Sequence, residues 1–244
     1  MNISKEIEER GFAVLPEIYS GEELALLSSV IETSRPDNEL FRKTGDLFAI
    51  RQFFRVIPEA VPVLFNERLR NIILDNFGQG YFVVKSIYFD KPNESNWFVA
   101  YHQDLTISVK ERHEVNGFGP WTVKKDQFAV QAPVELLADN FTIRVHLDTA
   151  TAENGALKVV AGSHKKGVYR PETIDWKEET EDICEVKAGG IMIMRPLLLH
   201  SSGRTTNHQR RRVVHIEFSR QQLPEPLGWS GFERVQVDAE LFLK

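Results

Sequence analysis

Residues 141–160, FTIRVHLDTATAENGALKVV, contain two short apolar runs separated by turn-forming residues. In the first run, aromatic or aliphatic residues alternate with polar ones, which is typical of a strand with one buried face. Asn154 and Gly155 both tolerate positive φ, so this pair predicts a hairpin turn. The stretch therefore predicts antiparallel β structure.

The same pattern extends outward from this stretch, beginning at Tyr81 and ending near residue 220. Further runs of this kind are YFVVKSIYFD (81–90), TISVK (106–110), ICEV (183–186), IMIM (191–194) and RRVVHIEFS (211–219). Several short strands separated by turn signals predict a sandwich or a barrel. We therefore expect residues 81–220 to form a β-barrel core.

The first eighty residues have a different pattern, which predicts a mostly helical support with one strand at Phe12 to Leu15. Ser20 and Glu23 form a capping-box sequence, and apolar residues follow at helical spacing. A second helix is expected over Pro62 to Phe77, ending before Gly78. We treat the whole chain, 1–244, as one domain.

The segment from Lys110 to Asn140 shows little periodicity and contains Phe118 and Trp121. Long ordered loops are usually functional, so residues 110–140 are expected to form a lid or substrate loop. Trp97, Tyr101, Phe118 and Trp121 flank the polar motif described next and are candidates for the wall of a substrate pocket.

Composition excludes several classes of protein. The formal net charge of −5 argues against a nucleic-acid binder, and the single cysteine excludes an intrachain disulfide framework. The N-terminus lacks the apolar segment of a secretory signal, and the chain lacks the roughly 18 consecutive apolar residues of a membrane span. We expect a cytoplasmic protein with a small-molecule partner and neither nucleic acid nor membrane. The oligomeric state is left open.

A metal site is suggested by His102 and Asp104, which stand two residues apart at the end of an expected strand. Residues i and i+2 of a strand project from one face, so both side chains can reach one ion. His200, which follows the apolar run 191–199, is the candidate for a third ligand. Two histidines and one carboxylate leave three positions open on an octahedral ion, as in non-haem iron(II) oxygenases. Each of these residues alone is weak evidence.

An anion anchor stands eleven residues after His200, at Arg211. The planar guanidinium matches a carboxylate such as that of 2-oxoglutarate. Strand alternation places Arg211, His215 and Glu217 on one face and Arg212 on the other, but parity alone does not choose between the two arginines. His146 and Asp148 are secondary candidates for supporting the metal ligands.

Four blocks of this sequence resemble the phytanoyl-CoA dioxygenase family of iron(II)- and 2-oxoglutarate-dependent oxygenases. They are GFAVLPEIYSGEELALL (11–27), YHQD (101–104), LDTATAENGALKVVAGSHKKG (147–167) and LLLHSSGRTTNHQRRRVVHIEF (197–218). The resemblance implies a mainly β fold, a double-stranded β-helix or jelly-roll (cupin-like) barrel whose open mouth holds iron.

The resemblance also implies roles for individual residues. His102, Asp104 and His200 match the iron ligands, and Arg211 matches the arginine that binds the distal carboxylate of 2-oxoglutarate. Arg144, Lys85 and Ile87 correspond to positions that border the co-substrate pocket. Asp104 is retained where halogenating relatives have a small residue, so hydroxylation is favoured over halogenation. The region 131–148 is similar to a bacterial branch, so an acyl-CoA substrate is not implied.

The expected function is an oxygenase that uses Fe(II), 2-oxoglutarate and O2 to hydroxylate a small molecule, releasing succinate and CO2. Two alternatives remain at this point. One is a non-catalytic metal-binding barrel that acts as a sensor. The other is a cupin-like metal enzyme that does not need 2-oxoglutarate.

Overall fold

Two antiparallel sheets form the body of the molecule, and a third, smaller sheet lies beside them. The computed structural model describes residues 2–34, 41–43, 48–93, 97–124 and 127–230. The strands are β1 (Phe12–Leu15), β2 (Phe41–Lys43), β3 (Phe48–Arg51), β4 (Phe82–Lys91), β5 (Val99–His102), β6 (Thr106–Val109), β7 (Trp121–Lys124), β8 (Gln127–Gln131), β9 (Phe141–His146), β10 (Leu157–Val160), β11 (Glu181–Cys184), β12 (Ile191–Met194), β13 (His200–Ser202) and β14 (Arg211–Ser219). The helices are α1 (Ile3–Arg10), α2 (Gly21–Thr33), α3 (Phe53–Val56), α4 (Ala60–Leu64), α5 (Glu67–Phe77) and α6 (Val134–Asp139).

The strand order is β1-β12-β9-β14-β4-β3-β2 in the large sheet, β11-β10-β13-β5 in the four-stranded sheet and β6-β8-β7 in the small sheet. Residues from the large and the four-stranded sheets line one common cavity. This arrangement is the expected jelly-roll, double-stranded β-helix fold.

The large sheet has an apolar face and a polar face because its central strands alternate. On β9 and β14, Ile143, Val145, Val214 and Ile216 are fully buried and belong to the main hydrophobic core. That core also contains apolar side chains of the helices: Ile7, Leu27, Ile31, Phe53, Phe54, Leu64, Leu69 and Ile73. The helices therefore cover one face of the sheet, and the polar face is left for the cavity.

The first eighty residues contain α1 to α5, as expected of a helical support, and β1 is the predicted strand at Phe12 to Leu15. Strands β2 and β3 were not predicted. This region contributes β1, β2 and β3 to the large sheet, where β1 pairs with β12 and β3 pairs with β4. The helix expected over Pro62 to Phe77 is two helices, because Asn66 accepts a hydrogen bond from the backbone N–H of Leu69 at 2.9 Å and starts α5. The helix does end before Gly78, as expected.

The hairpin predicted at Asn154 and Gly155 is wrong. Strand β9 pairs with β12 and β14, whereas β10 pairs with β11 and β13, so the connection crosses from one sheet to the other. Gly155 does have a positive φ of +84°, and a Cβ there would lie 2.6 Å from the backbone oxygen of Gly203. The glycine is thus needed for a close approach between backbones.

The expected loop at 110–140 is also wrong, because this segment contains β7, β8 and α6. Strand β8 pairs with β6 and β7, and Phe118, Trp121 and Phe128 pack against a second hydrophobic cluster that includes Ile107 and Val130. These elements are short, and β8 also has a partner outside the segment, strand β6. In the part of the chain that the structure describes, no helix is long and apolar enough to cross a membrane.

Candidate metal and anion site

The three expected ligands, here called the triad, come together at the edge of the four-stranded sheet. His102 ends β5, His200 begins β13, and the two residues are direct cross-strand partners. Asp104 lies beyond the end of β5, and its backbone N–H donates to Pro196 O at 2.9 Å. Its two carboxylate oxygens lie 3.9 Å from His102 Nε2 and 3.8 Å from His200 Nε2. One nitrogen or oxygen from each residue lies within 4.8 Å of the other two.

Each of the two histidines is oriented by the backbone carbonyl of the residue two positions before it. His102 Nδ1 lies 2.9 Å from Ala100 O, and His200 Nδ1 lies 2.9 Å from Leu198 O. A carbonyl can only accept, so each Nδ1 carries the proton and each Nε2 keeps its lone pair. This is the arrangement that fixes the tautomer and ring orientation of a metal-binding histidine.

Gln103, between His102 and Asp104, links this segment to residues 167–169 and to Leu197, which lies close to His200. Its Nε2 donates to Leu197 O and Gly167 O, and its Oε1 accepts from the N–H of Tyr169 at 2.8 Å. The side chain is buried, and both the NH2 group and the oxygen of its amide are hydrogen-bonded. Sequence reasoning missed this role, although a glutamine between two ligands was a visible signal.

Ser163 supports the strand that carries His200. Its hydroxyl accepts a hydrogen bond from the backbone N–H of Leu199 at 2.9 Å, one residue before His200. The serine is fully buried and follows Gly162, which has a φ of +78°. The GSH sequence at 162–164 therefore forms a turn with a structural role.

Arg211 lies across the cavity from the triad, on the inner face of β14. It shares this face with Val213, His215 and Glu217, all of which line the cavity. Its Nη2 lies 3.4 Å from Ser202 Oγ, whereas its buried Nε and Nη1 have no hydrogen-bond partner among the described residues. Burial and the nearby Arg144 lower the pKa of Arg211 to about 9. The guanidinium is therefore a buried cation that needs an anion.

Arg212 lies on the opposite face and is already paired. Its Nε and Nη2 donate to the two carboxylate oxygens of Asp148 at 2.9 and 2.8 Å, and its Nη1 donates to Ser28 Oγ at 3.2 Å. Asp148 is thus engaged away from the cavity and does not support the metal ligands. Of these two arginines, only Arg211 therefore lines the cavity.

A chain of polar side chains continues along the same inner face. Arg144 Nη1 lies 3.1 Å from His215 Nδ1, and His215 Nε2 lies 3.0 Å from Glu217 Oε1. Lys85 Nζ donates to the same oxygen of Glu217 at 2.8 Å. The expected pocket residues Arg144, Lys85 and Ile87 all line the cavity.

The environment of the triad favours the protonation states that a metal needs. Burial lowers the pKa of His200 to about 4, so its imidazole is neutral near pH 7. Burial would raise the pKa of Asp104, but His200, His215, Lys85 and His102 outweigh this effect and lower it to about 2. The neutral imidazole of His200 and the carboxylate of Asp104 therefore face a common point with the His102 ring.

Asp104, His215 and Glu217 also lie within 4.8 Å of one another. This second cluster does not fit an ion, because Lys85 and His215 both donate to Glu217. An Nε2 that donates a proton has no lone pair for a metal. The triad is the better metal site of the two.

The remaining candidates divide between the cavity and the core. Trp97 lines the cavity, whereas Phe118 and Trp121 pack in the second hydrophobic cluster. Tyr101 donates to Glu181 and lies against the Trp176 ring. His146 is buried outside the cavity lining, and in the described ranges neither ring nitrogen has a hydrogen-bond partner.

Comparison with known proteins agrees with this geometry. The family model described as phytanoyl-CoA dioxygenase (PhyH) matches residues 7–213. A curated relative, the L-proline trans-4-hydroxylase of Streptomyces griseoviridis, is 25% identical over 151 residues. That match covers 50% of this chain and 55% of the relative, so the chain spans about half the length of that enzyme.

Solved structures show the same fold. The non-haem α-ketoglutarate-dependent carbocyclase SnoK from nogalamycin biosynthesis has a TM-score of 0.66 at 15% identity, over 89% of this chain and 82% of SnoK. EctD from S. alaskensis, solved with 2-oxoglutarate and 5-hydroxyectoine, has a TM-score of 0.68 at 17% identity, over 88% of this chain and 74% of EctD. With the family match extending over most of the sequence and all three sheets in place, the chain belongs to the phytanoyl-CoA dioxygenase family.

Proposed function

We propose that this protein is an iron(II)- and 2-oxoglutarate-dependent oxygenase that hydroxylates a small molecule. One observation carries the proposal: a single cavity of about 290 Å3 is lined both by the triad and by Arg211, whose buried Nε and Nη1 lack a hydrogen-bond partner among the described residues. A metal site alone would fit many enzymes. A metal site opposite a buried cation fits a ligand that chelates at one end and carries a carboxylate at the other.

The residues of the triad fit iron(II) by their chemistry. Two imidazoles and a carboxylate form a set of the kind that non-haem iron oxygenases use. Asp104 Oδ2 is buried and, in the described part of the chain, accepts no hydrogen bond. A buried carboxylate oxygen without a donor is costly unless a cation satisfies it. His102, Asp104 and His200 would hold the ion.

The cations of the large sheet fit 2-oxoglutarate, which is a dianion. Arg211 would bind its distal carboxylate through its guanidinium, whose Nε and Nη1 lack a partner among the described residues. Arg144, with an equally unpartnered Nε in the described structure, adds positive charge to the same cavity. Lys91 donates to Gly203 O at 2.7 Å, and burial and Arg211 lower its pKa to about 8. A bound anion would reduce the repulsion among the positive charges of Arg211, Arg144 and Lys91.

Iron(II) bound there supplies the oxidative chemistry, in which decarboxylation of 2-oxoglutarate by O2 is coupled to hydroxylation of the substrate, giving succinate and CO2. The protein contributes position. The histidine Nδ1 contacts and Gln103 hold the ligands in place, and Arg211 fixes the direction of the keto acid. Asp104 would supply the third ligand, which supports oxygen transfer over halide transfer.

The test combines binding with turnover. Anaerobic protein with iron(II) should develop a visible charge-transfer band when 2-oxoglutarate is added, and exposure to O2 should release succinate. Failure to bind 2-oxoglutarate in folded, iron-loaded protein would indicate a metal enzyme without a keto acid. Binding without succinate release, even in the uncoupled reaction, would indicate a sensor.

A further inference from the structure

Four side chains, here called the polar chain, cross three neighbouring strands on the inner face of the large sheet. They are Lys85 of β4, Glu217 and His215 of β14, and Arg144 of β9. Lys85 is the cross-strand partner of Glu217, and Arg144 is the cross-strand partner of His215. All four residues line the triad cavity, so the polar chain borders the space in which the keto acid would bind.

The direction of each hydrogen bond in the polar chain is fixed by its ends. A guanidinium can only donate, so Arg144 Nη1 donates to His215 Nδ1 at 3.1 Å. The proton of this ring therefore lies on Nε2, which donates to Glu217 Oε1 at 3.0 Å. Lys85 Nζ donates to the same oxygen at 2.8 Å and compensates the charge of the carboxylate. His215 is thus held in one tautomer, with its acceptor directed at Arg144.

The position of the Arg144 guanidinium depends on this acceptor. Among the described residues, the bond to His215 Nδ1 is the one hydrogen bond of this side chain, and its buried Nε has no partner. Arg211 carries a like charge close enough to lower its own pKa through Arg144, so the two guanidinium groups repel each other. The hydrogen bond to His215 opposes this repulsion, and the ring therefore sets the place of the guanidinium.

Arg144 lies at the end of the cavity that contains the triad. Its partner His215 has a ring nitrogen within 4.8 Å of a carboxylate oxygen of Asp104. Burial lowers the pKa of Arg144 to about 10, and the charge of Asp104 opposes this shift, so the two groups interact. Arg211 stands four residues before His215 on β14, about 13 Å along the strand. The two arginines are therefore spaced along the cavity, with Arg144 on the side of the metal ligands.

We propose that His215 is a positioning residue, which holds Arg144 so that this guanidinium binds the carboxylate of 2-oxoglutarate next to the metal. Arg211 binds the distal carboxylate, so the two ends of the dianion meet separate cations. The inference rests on the proposed function, because the polar chain acts on the keto acid. It adds to that function a second anchor and the residue that orients it.

The test is a double-mutant cycle on anaerobic, iron(II)-loaded protein, in which the charge-transfer band measures 2-oxoglutarate affinity. His215→Phe keeps a ring and removes the acceptor, and Arg144→Met removes the guanidinium and keeps an unbranched side chain. Arg144→Met should weaken binding at least about tenfold, and His215→Phe at least about threefold. In the double variant, His215→Phe should add less than about a twofold loss, because the group that it positions is gone.

The wavelength of the band separates positioning from a general structural role. The transition moves an electron from the metal to the keto acid, and a cation beside the keto group lowers the energy of that transition. His215→Phe and Arg144→Met should therefore both shift the band to shorter wavelength, and Arg211→Ala should shift it less. The affinity for iron(II) should not change. His113→Phe, at a histidine outside the cavity lining, is the control and should change neither quantity.

Three outcomes overturn the proposal: wild-type affinity in His215→Phe, an equal loss from His215→Phe with and without Arg144, or an unshifted band in Arg144→Met. If His215→Phe does not fold, His215→Asn and His215→Gln replace it. The asparagine oxygen can stand where Nδ1 stood, whereas the glutamine amide reaches the place of Nε2. Binding should then be tighter in His215→Asn, and equal or weaker binding there also overturns the proposal.

Failure of the proposed function has a different signature. Wild-type protein would then not bind 2-oxoglutarate at all, and this inference would fail with it. Wild-type binding that is indifferent to His215 removes this inference alone.

Discussion

The two sheets that face each other across the triad cavity hold their functional groups in opposite ways. On the four-stranded side, each histidine of the triad has its Nδ1 fixed by a backbone carbonyl, and Gln103 ties the ligand segments together. On the large sheet, Arg211 and Arg144 are buried with guanidinium nitrogens that lack partners among the described residues. One side is preorganised by hydrogen bonds, and the other keeps unsatisfied charge for a ligand.

This difference indicates that metal binding and anion binding are separable properties of the two sheets. Substitutions on the four-stranded side should reduce metal affinity first. Substitutions on the inner face of the large sheet should reduce anion affinity and leave metal affinity unchanged.

The largest effect is expected for His200→Ala, which removes a ligand from the four-stranded side. Metal affinity should fall by more than about 100-fold, beyond the 10–100-fold typical of residues that only support a ligand. Titration with iron(II) under anaerobic conditions measures this loss, and His113→Ala is the control. If His200→Ala binds iron(II) with wild-type affinity, His200 is not a metal ligand.

Arg211→Ala tests the large sheet. The affinity for 2-oxoglutarate should fall roughly 10- to 100-fold, because a hydrogen bond to a charged group contributes about 1.5–3 kcal/mol. Metal affinity should not change. The charge-transfer band, titrated with 2-oxoglutarate, measures the effect.

Arg212→Ala is the matched control on the opposite face of the same strand. It should leave 2-oxoglutarate affinity unchanged but lower the free energy of unfolding by roughly 1.5–3 kcal/mol, because Asp148 loses the guanidinium and keeps only the backbone N–H of residue 212. The reverse result, with Arg212 controlling 2-oxoglutarate binding, contradicts the assignment.

Gln103→Leu keeps the size of the side chain and removes its three amide hydrogen bonds. Metal affinity should fall by about tenfold, the lower end for residues that orient metal ligands. The affinity for 2-oxoglutarate should fall only to the extent that weaker metal binding removes the ion that the keto acid chelates. Gln209→Leu, at an exposed position, is the control. An equal loss of metal affinity in both variants would mean that Gln103 does not orient the metal ligands.

Ser163→Ala should have the smallest effect. The N–H of Leu199 loses its acceptor, so the free energy of unfolding should fall by about 1–3 kcal/mol, the cost of a buried unsatisfied donor. Chemical denaturation measures this change. A loss of metal affinity as large as that of Gln103→Leu would mean that Ser163 orients His200 directly.

The fold class could be predicted because strand alternation is a local property. The inner face of β14 followed from parity, and the structure puts Arg211, His215 and Glu217 on it as expected. The choice between Arg211 and Arg212 required the position of Asp148, which is distant in sequence and close only in the folded sheet.

Pairing between strands could not be predicted in the same way. The Asn154-Gly155 turn had the residues of a hairpin, but β9 and β10 belong to different sheets. Likewise, the elements between residues 110 and 140 are stabilised by β6 and by the second hydrophobic cluster, and their own sequences show little periodicity. Local patterns report a strand's faces and do not report its neighbours.

The buried guanidinium groups of Arg144 and Arg211 also link the binding of an anion in the triad cavity to the stability of the fold. Each has a pKa lowered by burial, to about 10 and about 9, so the folded chain bears the cost of two desolvated like charges. A dianion that binds between them binds the folded chain alone and stabilises it by mass action. Binding of such a dianion should therefore lengthen the lifetime of the protein in cells, because degradation there follows the unfolded fraction.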